Sequence, residues 1–331
     1  MVSPRAAGVV PHLREGACTH ARALDARCQA CEDVCAELAI FPAGPDLILD
    51  AEACSACGAC VAACPQQALT QPAAIPVIAA RSATVAVALC ARAPAAAGRS
   101  AAICVHALSL ADLAALLGAG VERLALATGD CESCNIRPLT LIDDAAARLA
   151  TLCGARGLMT LAVGAAVEAD LALLPPREDS PDPARRALFA PLIDEAAPPP
   201  NPARVLVALQ RAGAGAETPF AFSPRIDPAT CTGCDACLRI CPADALCLAA
   251  GPAYHADPAR CTGCGLCMDV CEVDAITVTP MAPAAADVAL SEFRCRHCQV
   301  DTHVPGPAPA DSLCRICRQT GHFKKLFQVL G

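Results

Sequence analysis

Residues 231–242 read Cys-Thr-Gly-Cys-Asp-Ala-Cys-Leu-Arg-Ile-Cys-Pro, and residues 261–271 read Cys-Thr-Gly-Cys-Gly-Leu-Cys-Met-Asp-Val-Cys. Both are C-x2-C-x2-C-x3-C runs, built on Cys231, Cys234, Cys237 and Cys241 and on Cys261, Cys264, Cys267 and Cys271. Pro242 follows the first run, and Glu272 stands in that place after the second. A third run, Cys54, Cys57, Cys60 and Cys64, again ends on a proline, Pro65. A degenerate copy, Cys28, Cys31 and Cys35, precedes it, with Cys18 further upstream and Ala36 in the proline position. Cys90, Cys104, Cys131, Cys134 and Cys153 occupy the middle of the chain, Cys247 stands alone, and the pairs Cys295/Cys298 and Cys314/Cys317 come last.

Composition makes these runs the main organising feature. Of 331 residues 26 are cysteine and 76 are alanine, while aromatic residues make up 2% and tryptophan is absent. Alanine buries little area, so a core of large side chains is thin here. The length suggests about two domains. No stretch of 18 apolar residues is free of charge or proline, so no membrane span is expected. Met1–Gly16 has no apolar signal core and no twin-arginine pair, which points to a cytoplasmic location. There cysteines serve as metal ligands or catalysts more often than in disulfides. A net charge of −8 with few aromatics argues against nucleic-acid binding.

The full run has a mechanical reason. Three thiolates spaced two residues apart wrap a tight loop around one iron–sulfur cube, and the fourth, beyond a short helical turn, reaches a neighbouring cube. Residues 221–280 resemble a two-cluster bacterial ferredoxin over their whole length, and Gly233, Gly263 and Gly265 suit tight cluster loops. The resemblance implies one [4Fe-4S] cluster on Cys231, Cys234, Cys237 and Cys271, and a second on Cys261, Cys264, Cys267 and Cys241.

Residues 15–72 are similar but irregular. The same crossed rule gives Cys54, Cys57 and Cys60 a cube shared with Cys35. Cys28, Cys31 and Cys64 then need a fourth ligand, for which Cys18 and Asp25 compete. Thiolate suits a cluster iron better than carboxylate, which favours Cys18. A three-iron or vacant site stays open there. Ala36 puts the helix end in question, not the ligation.

Between the two modules, Thr84–Leu89, Ala101–Val105, Arg123–Ala127 and Met159–Val163 read as strands. Leu108–Leu117 and Leu139–Leu152 have helical apolar spacing, closed by Gly118, Gly120 and Gly154. This alternation predicts a small parallel α/β sheet. Cys90, Cys104, Cys131 and Cys134 fall at the carboxyl ends of its strands, where such sheets gather ligands. The stretch resembles the small iron–sulfur (delta) subunit of methyl-viologen-reducing hydrogenases, through Cys90, Cys104, the Gly120-Val121 step and Gly129-Asp130-Cys131, with a less Cys-rich opening. The resemblance implies a [2Fe-2S] cluster on these cysteines; the alternative is a plain α/β linker domain. Cys153, and Cys247 on the strand-like Ala245–Ala249, are expected in the core. Residues 175–219 read as a Pro-rich linker in which Arg185–Ile193 has room for a helical turn or two.

Cys295, Cys298, Cys314 and Cys317 have the spacing of a structural four-cysteine zinc site. A single iron suits the same geometry, but the tail lacks the aromatics and proline-containing knuckles of rubredoxins. His297, His303 and His322 are expected at the surface beside the closed site, and Lys324 and Lys325 as a solvated basic end.

The expected fold class is α+β. Two ferredoxin-like dicluster modules (15–72 and 220–281) flank a small parallel α/β domain (80–174), with the linker 175–219 and a zinc-ribbon-like knuckle at 290–325. No phosphate-binding loop, nucleotide fingerprint or nucleophile elbow is present; Arg211–Glu217 lacks the Lys and Ser/Thr of a P-loop, and His106 lacks a nucleophile partner. The chain therefore reads as an electron carrier and not an enzyme. It relays single electrons through about four cubes to or from a larger oxidoreductase, such as a hydrogenase, formate dehydrogenase or other molybdoenzyme. A redox-sensing or assembly factor and an enzyme using the central cysteines are the alternatives. Each cube with four thiolates carries about −2, so four take the holoprotein from −8 to about −16, a charge suited to basic patches on a partner.

Overall fold

Thr84–Cys90 reads Thr-Val-Ala-Val-Ala-Leu-Cys, with no polar residue after the first, and every residue from Val85 onward is buried. Such a run belongs in a strand covered on both faces. In the computed structural model it is the centre of a mixed sheet. Arg123–Ala127 pairs parallel to it, with Val85 opposite Arg123 and Leu89 opposite Ala127. Ala162–Ala165 runs parallel to Arg123–Ala127, the short Ala102–Ile103 parallel to Thr84–Cys90, and Val77–Ala79 antiparallel to it. The structure describes residues 10–71, 77–79, 84–96, 102–131, 134, 141–172, 174 and 201–320. The Arg185–Ile193 turn, the start of the helix expected from Leu139, His322, Lys324 and Lys325 lie outside them.

The chain divides into two compact units, Met1–Ala21 with Gln29–Ala214 and Arg22–Cys28 with Gly215–Gly331. In the first, two helices cover the sheet. Leu110–Gly118 starts with a capping box in which Ser109 N–H donates to Asp112 (2.8 Å) and Asp112 N–H to Ser109 Oγ (3.3 Å). Leu141–Gly154 buries Ile142, Ala145, Leu149, Leu152 and Cys153, one helical stripe, so Cys153 is in the core. Met159, expected to open a strand, is 73% exposed, and the strand begins only at Ala162. Within the stretch read as a linker, Asn201 caps a helix over Pro202–Arg211 whose Leu206 and Leu209 pack against the same core. Its last turn is held by buried Arg156, whose Nε and Nη2 donate to Gln210 O at 3.1 and 2.9 Å.

The cysteine-rich part of this unit has a much smaller core, a cluster built on buried Ile40, Cys60 and Leu69. Two antiparallel pairs frame it, His12–Leu13 with Leu69–Thr70 and Ile40–Ala43 with Asp46–Leu49. The second unit repeats that plan, with Phe220–Ile226 against Ile276–Ala282 and Leu246–Leu248 against Ala253–Ala256. Its sheet continues from Ala253–Ala256 into the hairpin Val288–Arg294 and Asp301–Pro305. Cys247 faces out of Leu246–Leu248 and is exposed, contrary to the expected core position. Leu246 turns the opposite face of the strand into the core instead.

A charged pair ties the segment after the last parallel strand back to the sheet. Asp170, 3% exposed, accepts from Arg123 of the second parallel strand and from Val167 N–H at 2.9 Å. The Arg123 guanidinium holds its carboxyl below the usual carboxylate range. A depressed folded-state pKa contributes stability above the unfolded value, about pH 4, that is lost as pH falls through the folded value. Asp170→Asn is expected to cost about 2 kcal/mol at pH 7 and close to nothing near pH 2, read from urea unfolding followed by far-UV circular dichroism.

Candidate metal centres

Each cysteine run ends on the same turn. Three residues past the last cysteine the backbone is left-handed, at Leu38 (φ 51°), Gln67 (49°), Asp244 (48°) and Asp274 (51°). That twist turns the next N–H back onto sulfur. Ala39 donates to Cys35 Sγ (3.3 Å), Ala68 to Cys64 (3.2 Å), Ala245 to Cys241 (3.3 Å) and Ala275 to Cys271 (3.2 Å). The degenerate run ending at Cys35 thus has the same local geometry as the three complete ones. Each complete run also begins four residues after an aspartate. Asp50, Asp227 and Asp257 accept through Oδ1 from the N–H of Ala53, Ala229 and Ala259 at 3.0–3.1 Å. Cys54 and Cys231 N–H then donate to the Asp50 and Asp227 carbonyls, both at 3.0 Å. The sequence reading missed this D-x-x-x-C signal, although its spacing is plain.

Within the second unit two cavities collect the thiols in crossed sets. One is lined by Cys231, Cys234, Cys237 and Cys271, with Tyr254, Asp235 and Ile226 among its walls. The other is lined by Cys241, Cys261, Cys264 and Cys267, with Leu266 and Val278. Gly233, Gly263 and Gly265 are left-handed at φ 72°, 75° and 80°. A Cβ on Gly263 would stand 2.6 Å from the Phe222 ring, whereas one on Gly265 would meet nothing nearer than Met268 Cε at 3.6 Å.

Burial pushes the Cys237 thiol up to about 12 and Cys261 to about 11, and raises Cys231, Cys264 and Cys267 as well; neighbouring thiols add to the effect. Thiolates crowded in an apolar cavity need a cationic core between them. Iron fits that donor set, and the N–H groups aimed at sulfur fit a cluster's sulfur shell.

In the first unit Cys60 is pushed up to about 12 by burial, then by the nearby Cys57, Cys35, Cys54 and Cys31. The structure thus brings Cys54, Cys57 and Cys60 together with Cys35. Cys18, Cys31 and Cys64 are half-buried in the same unit. Cys28 is half-buried in the segment Arg22–Cys28 of the other unit, where Arg27 N–H donates to Asp269 Oδ2 at 3.0 Å, and Asp25 is exposed.

The central cysteines gather at the carboxyl-terminal edge of the parallel strands. Burial pushes Cys104 up to about 12, with Cys57, Cys90 and Cys131 close enough to add to it. Cys131 is raised by burial, then by Cys90 and Cys134. Arg92 caps the group, donating from Nη1 to Cys134 Sγ (3.2 Å) and from its N–H to Cys90 Sγ (3.4 Å). Gly129 lets the chain pass: a Cβ there would lie 2.5 Å from Arg92 O.

Among the described residues, Cys295, Cys298, Cys314 and Cys317 are the set tight enough for a single ion, with all four Sγ atoms within 4.8 Å of one another. Cys298 and Cys314 Sγ lie 3.8 Å apart, and a tetrahedral zinc with bonds of about 2.3 Å spaces its sulfurs by about that much. N–H groups, Cys314 first, lower Cys295 to about 6, and burial raises Cys317 to about 12. His297 is exposed, as expected. His303 is not: it is half-buried and its Nε2 lies 2.9 Å from Asp235 Oδ1 and 3.1 Å from Tyr254 Oη. Its place on the inner side of Asp301–Pro305 overrides its polarity.

Comparison with known families agrees with three of these runs. Residues 47–70 and 254–277 match one family described as a 4Fe-4S binding domain, and residues 223–246 match a second family of the same description. The run at Cys28–Cys35 lies outside the matched residues. No curated protein matches the chain.

The two glycines should respond differently to a methyl group. Gly263→Ala is expected to destabilise the second unit by about 2–3 kcal/mol, because strain at φ 75° adds to the Phe222 clash, and Gly265→Ala by about 1 kcal/mol. The rate of iron release to a chelator reads the order, and equal rates would contradict it. The chain carries 4Fe-4S binding domains, and these indicate an iron–sulfur electron-transfer role.

Proposed function

We propose that this protein relays single electrons through four [4Fe-4S] clusters to or from a larger oxidoreductase, with a zinc-bound knuckle at its C-terminal end. The observation that carries the proposal is the collection of thiols into the crossed sets Cys231/Cys234/Cys237/Cys271 and Cys261/Cys264/Cys267/Cys241 around two separate cavities. When bound, a cube supplies a one-electron couple. The protein's own residues hold its iron through four thiolates, direct N–H groups at the sulfurs and exclude water with Tyr254, Leu266 and Val278.

The ligands of one cube of the first module are Cys54, Cys57, Cys60 and Cys35, and Cys18, Cys31 and Cys64 serve the second. The turn repeated after Cys35 and Cys64 supports both runs as cluster binders. Cys90, Cys104, Cys131 and Cys134 form a smaller two-iron centre. The nearness of Cys57 to Cys104 supports its place in the relay, because electron transfer needs short gaps between centres. The modules are 15–72, 80–174, 220–281 and 290–325, with 175–219 between them. The partner is a hydrogenase, formate dehydrogenase or similar molybdoenzyme that offers a basic patch to the acidic carrier. Among the described residues no helix is long and apolar enough to cross a membrane.

Anaerobic analysis of the purified chain for iron, sulfide and zinc, with low-temperature EPR after reduction, tests this. About sixteen irons and one zinc per chain are expected from four cubes and the knuckle, and about eighteen irons with the central centre filled. Fewer than about ten irons in freshly prepared protein would contradict the four-cube relay.

A further inference from the structure

The residue after the second cysteine of a run is left-handed in all three complete copies, and in two of them it is glycine: Gly58 (φ 75°) and Gly265 (φ 80°). In the third it is Asp235, at φ 61°. A residue with a Cβ is strained there relative to glycine, and strain kept at a site points to a use for the side chain. The carboxylate is held firmly. Tyr254 Oη donates to Asp235 Oδ1 at 2.6 Å, and His303 Nε2 lies 2.9 Å from the same oxygen. A carboxylate only accepts, so Nε2 of His303 carries the proton. The two rings meet edge to face at 5.6 Å, and Tyr254 is 2% exposed. Arg239 lies 4.0 Å from Oδ2 with an 80% exposed side chain, and Glu272, which also lines the cavity, is paired with Arg315 at 2.8 Å. The strand carrying His303 also packs on the loop: a Cβ on Gly233 would lie 2.6 Å from His303 O. Asp235 and Tyr254 both wall the cavity of Cys231, Cys234, Cys237 and Cys271, and the sibling cavity has Gly265 in the matching place.

We propose that Asp235, fixed by Tyr254 and His303, makes the centre on Cys231, Cys234, Cys237 and Cys271 the harder to reduce of the pair in this module. This rests on the reading of those cysteines as cluster ligands. A fixed negative charge beside the centre opposes the arrival of one electron from the reductant, a step in which no bond or proton moves. Gly265 places no such charge beside the sibling centre, so the two are set apart in potential and the module acquires a direction. Asp235 acts on the centre through space, and Tyr254 and His303 are positioning residues for it.

The test is an anaerobic dithionite titration of the full-length holoprotein with redox mediators, followed by EPR, for wild type, Asp235→Gly, Asp235→Asn and His303→Gln, each after iron and sulfide analysis. Glycine fills this position in both sibling loops, so Asp235→Gly fits the backbone. Both Asp235 variants are expected to keep wild-type iron. One reduction wave alone should move to higher potential, so that at its original midpoint the reduced-to-oxidised ratio is about tenfold higher. His303→Gln is expected to move the same wave by a smaller amount. Unmoved waves at wild-type iron content in both Asp235 variants would overturn the proposal and leave the cluster reading intact. Wild-type protein lacking iron in this module, judged by unchanged iron content in Cys231→Ser, would overturn the cluster reading itself.

Discussion

Sulfur atoms gathered in an apolar cavity cannot all be charged, and cannot fill the space between them, unless something cationic sits at their centre. That constraint governs both cysteine-rich modules. Burial and mutual repulsion raise Cys60, Cys237, Cys261 and Cys267 together, because each thiol adds to the cost of ionising the others. The small apolar cores beside them say the same thing. One is a cluster of Ile40, Cys60 and Leu69, and in the other Cys231, Cys237 and Cys271 pack against a cluster that includes Cys267. By contrast, the central sheet has a continuous core of aliphatic side chains drawn from its strands and the helices around them, and it needs no inorganic centre to close it.

The protein meets the constraint by repetition. An aspartate starts the loop, left-handed residues turn it around the cavity, and a last left-handed residue swings an N–H onto the final sulfur. The N–H groups at Cys35, Cys64, Cys241 and Cys271 partly offset the negative charge there, one of the means by which a protein adjusts the potential of a bound cluster. Variation on the repeated frame then carries information, as Asp235 does among its glycine counterparts. The knuckle follows a different rule. Its four sulfurs approach as closely as one ion requires, and the helix Arg315–Thr320 starts immediately after Cys314.

Much of this was legible in the residues because cysteine spacing is a direct record of loop geometry. The three complete runs, the knuckle pairs and the parallel strands at Thr84 and Arg123 follow from short-range pattern alone. Less local features were not legible. Pro202–Arg211 lies within a Pro-rich stretch, yet helix caps and a docking face at Leu206 and Leu209 make it structured. His303 reads as a surface residue until the hairpin folds it against Tyr254, 49 positions away. Cys247 reads as core because its neighbours are apolar, but strand alternation turns it outward while Leu246 takes the buried face. For the helix and for His303 the deciding contact is made by residues distant in sequence, and for Cys247 it is the phase of the strand.

Hydrogen exchange on holoprotein and on protein stripped of iron and zinc tests most directly whether inorganic centres serve as the core of the cysteine-rich modules. Stripping is expected to abolish protection at the N–H groups of Ala68, Ala245 and Ala275 and across Phe220–Ile226. Protection should persist in Thr84–Cys90, Arg123–Ala127 and Leu141–Gly154. Retained protection across Phe220–Ile226 and Ile276–Ala282 in the stripped protein would contradict the account.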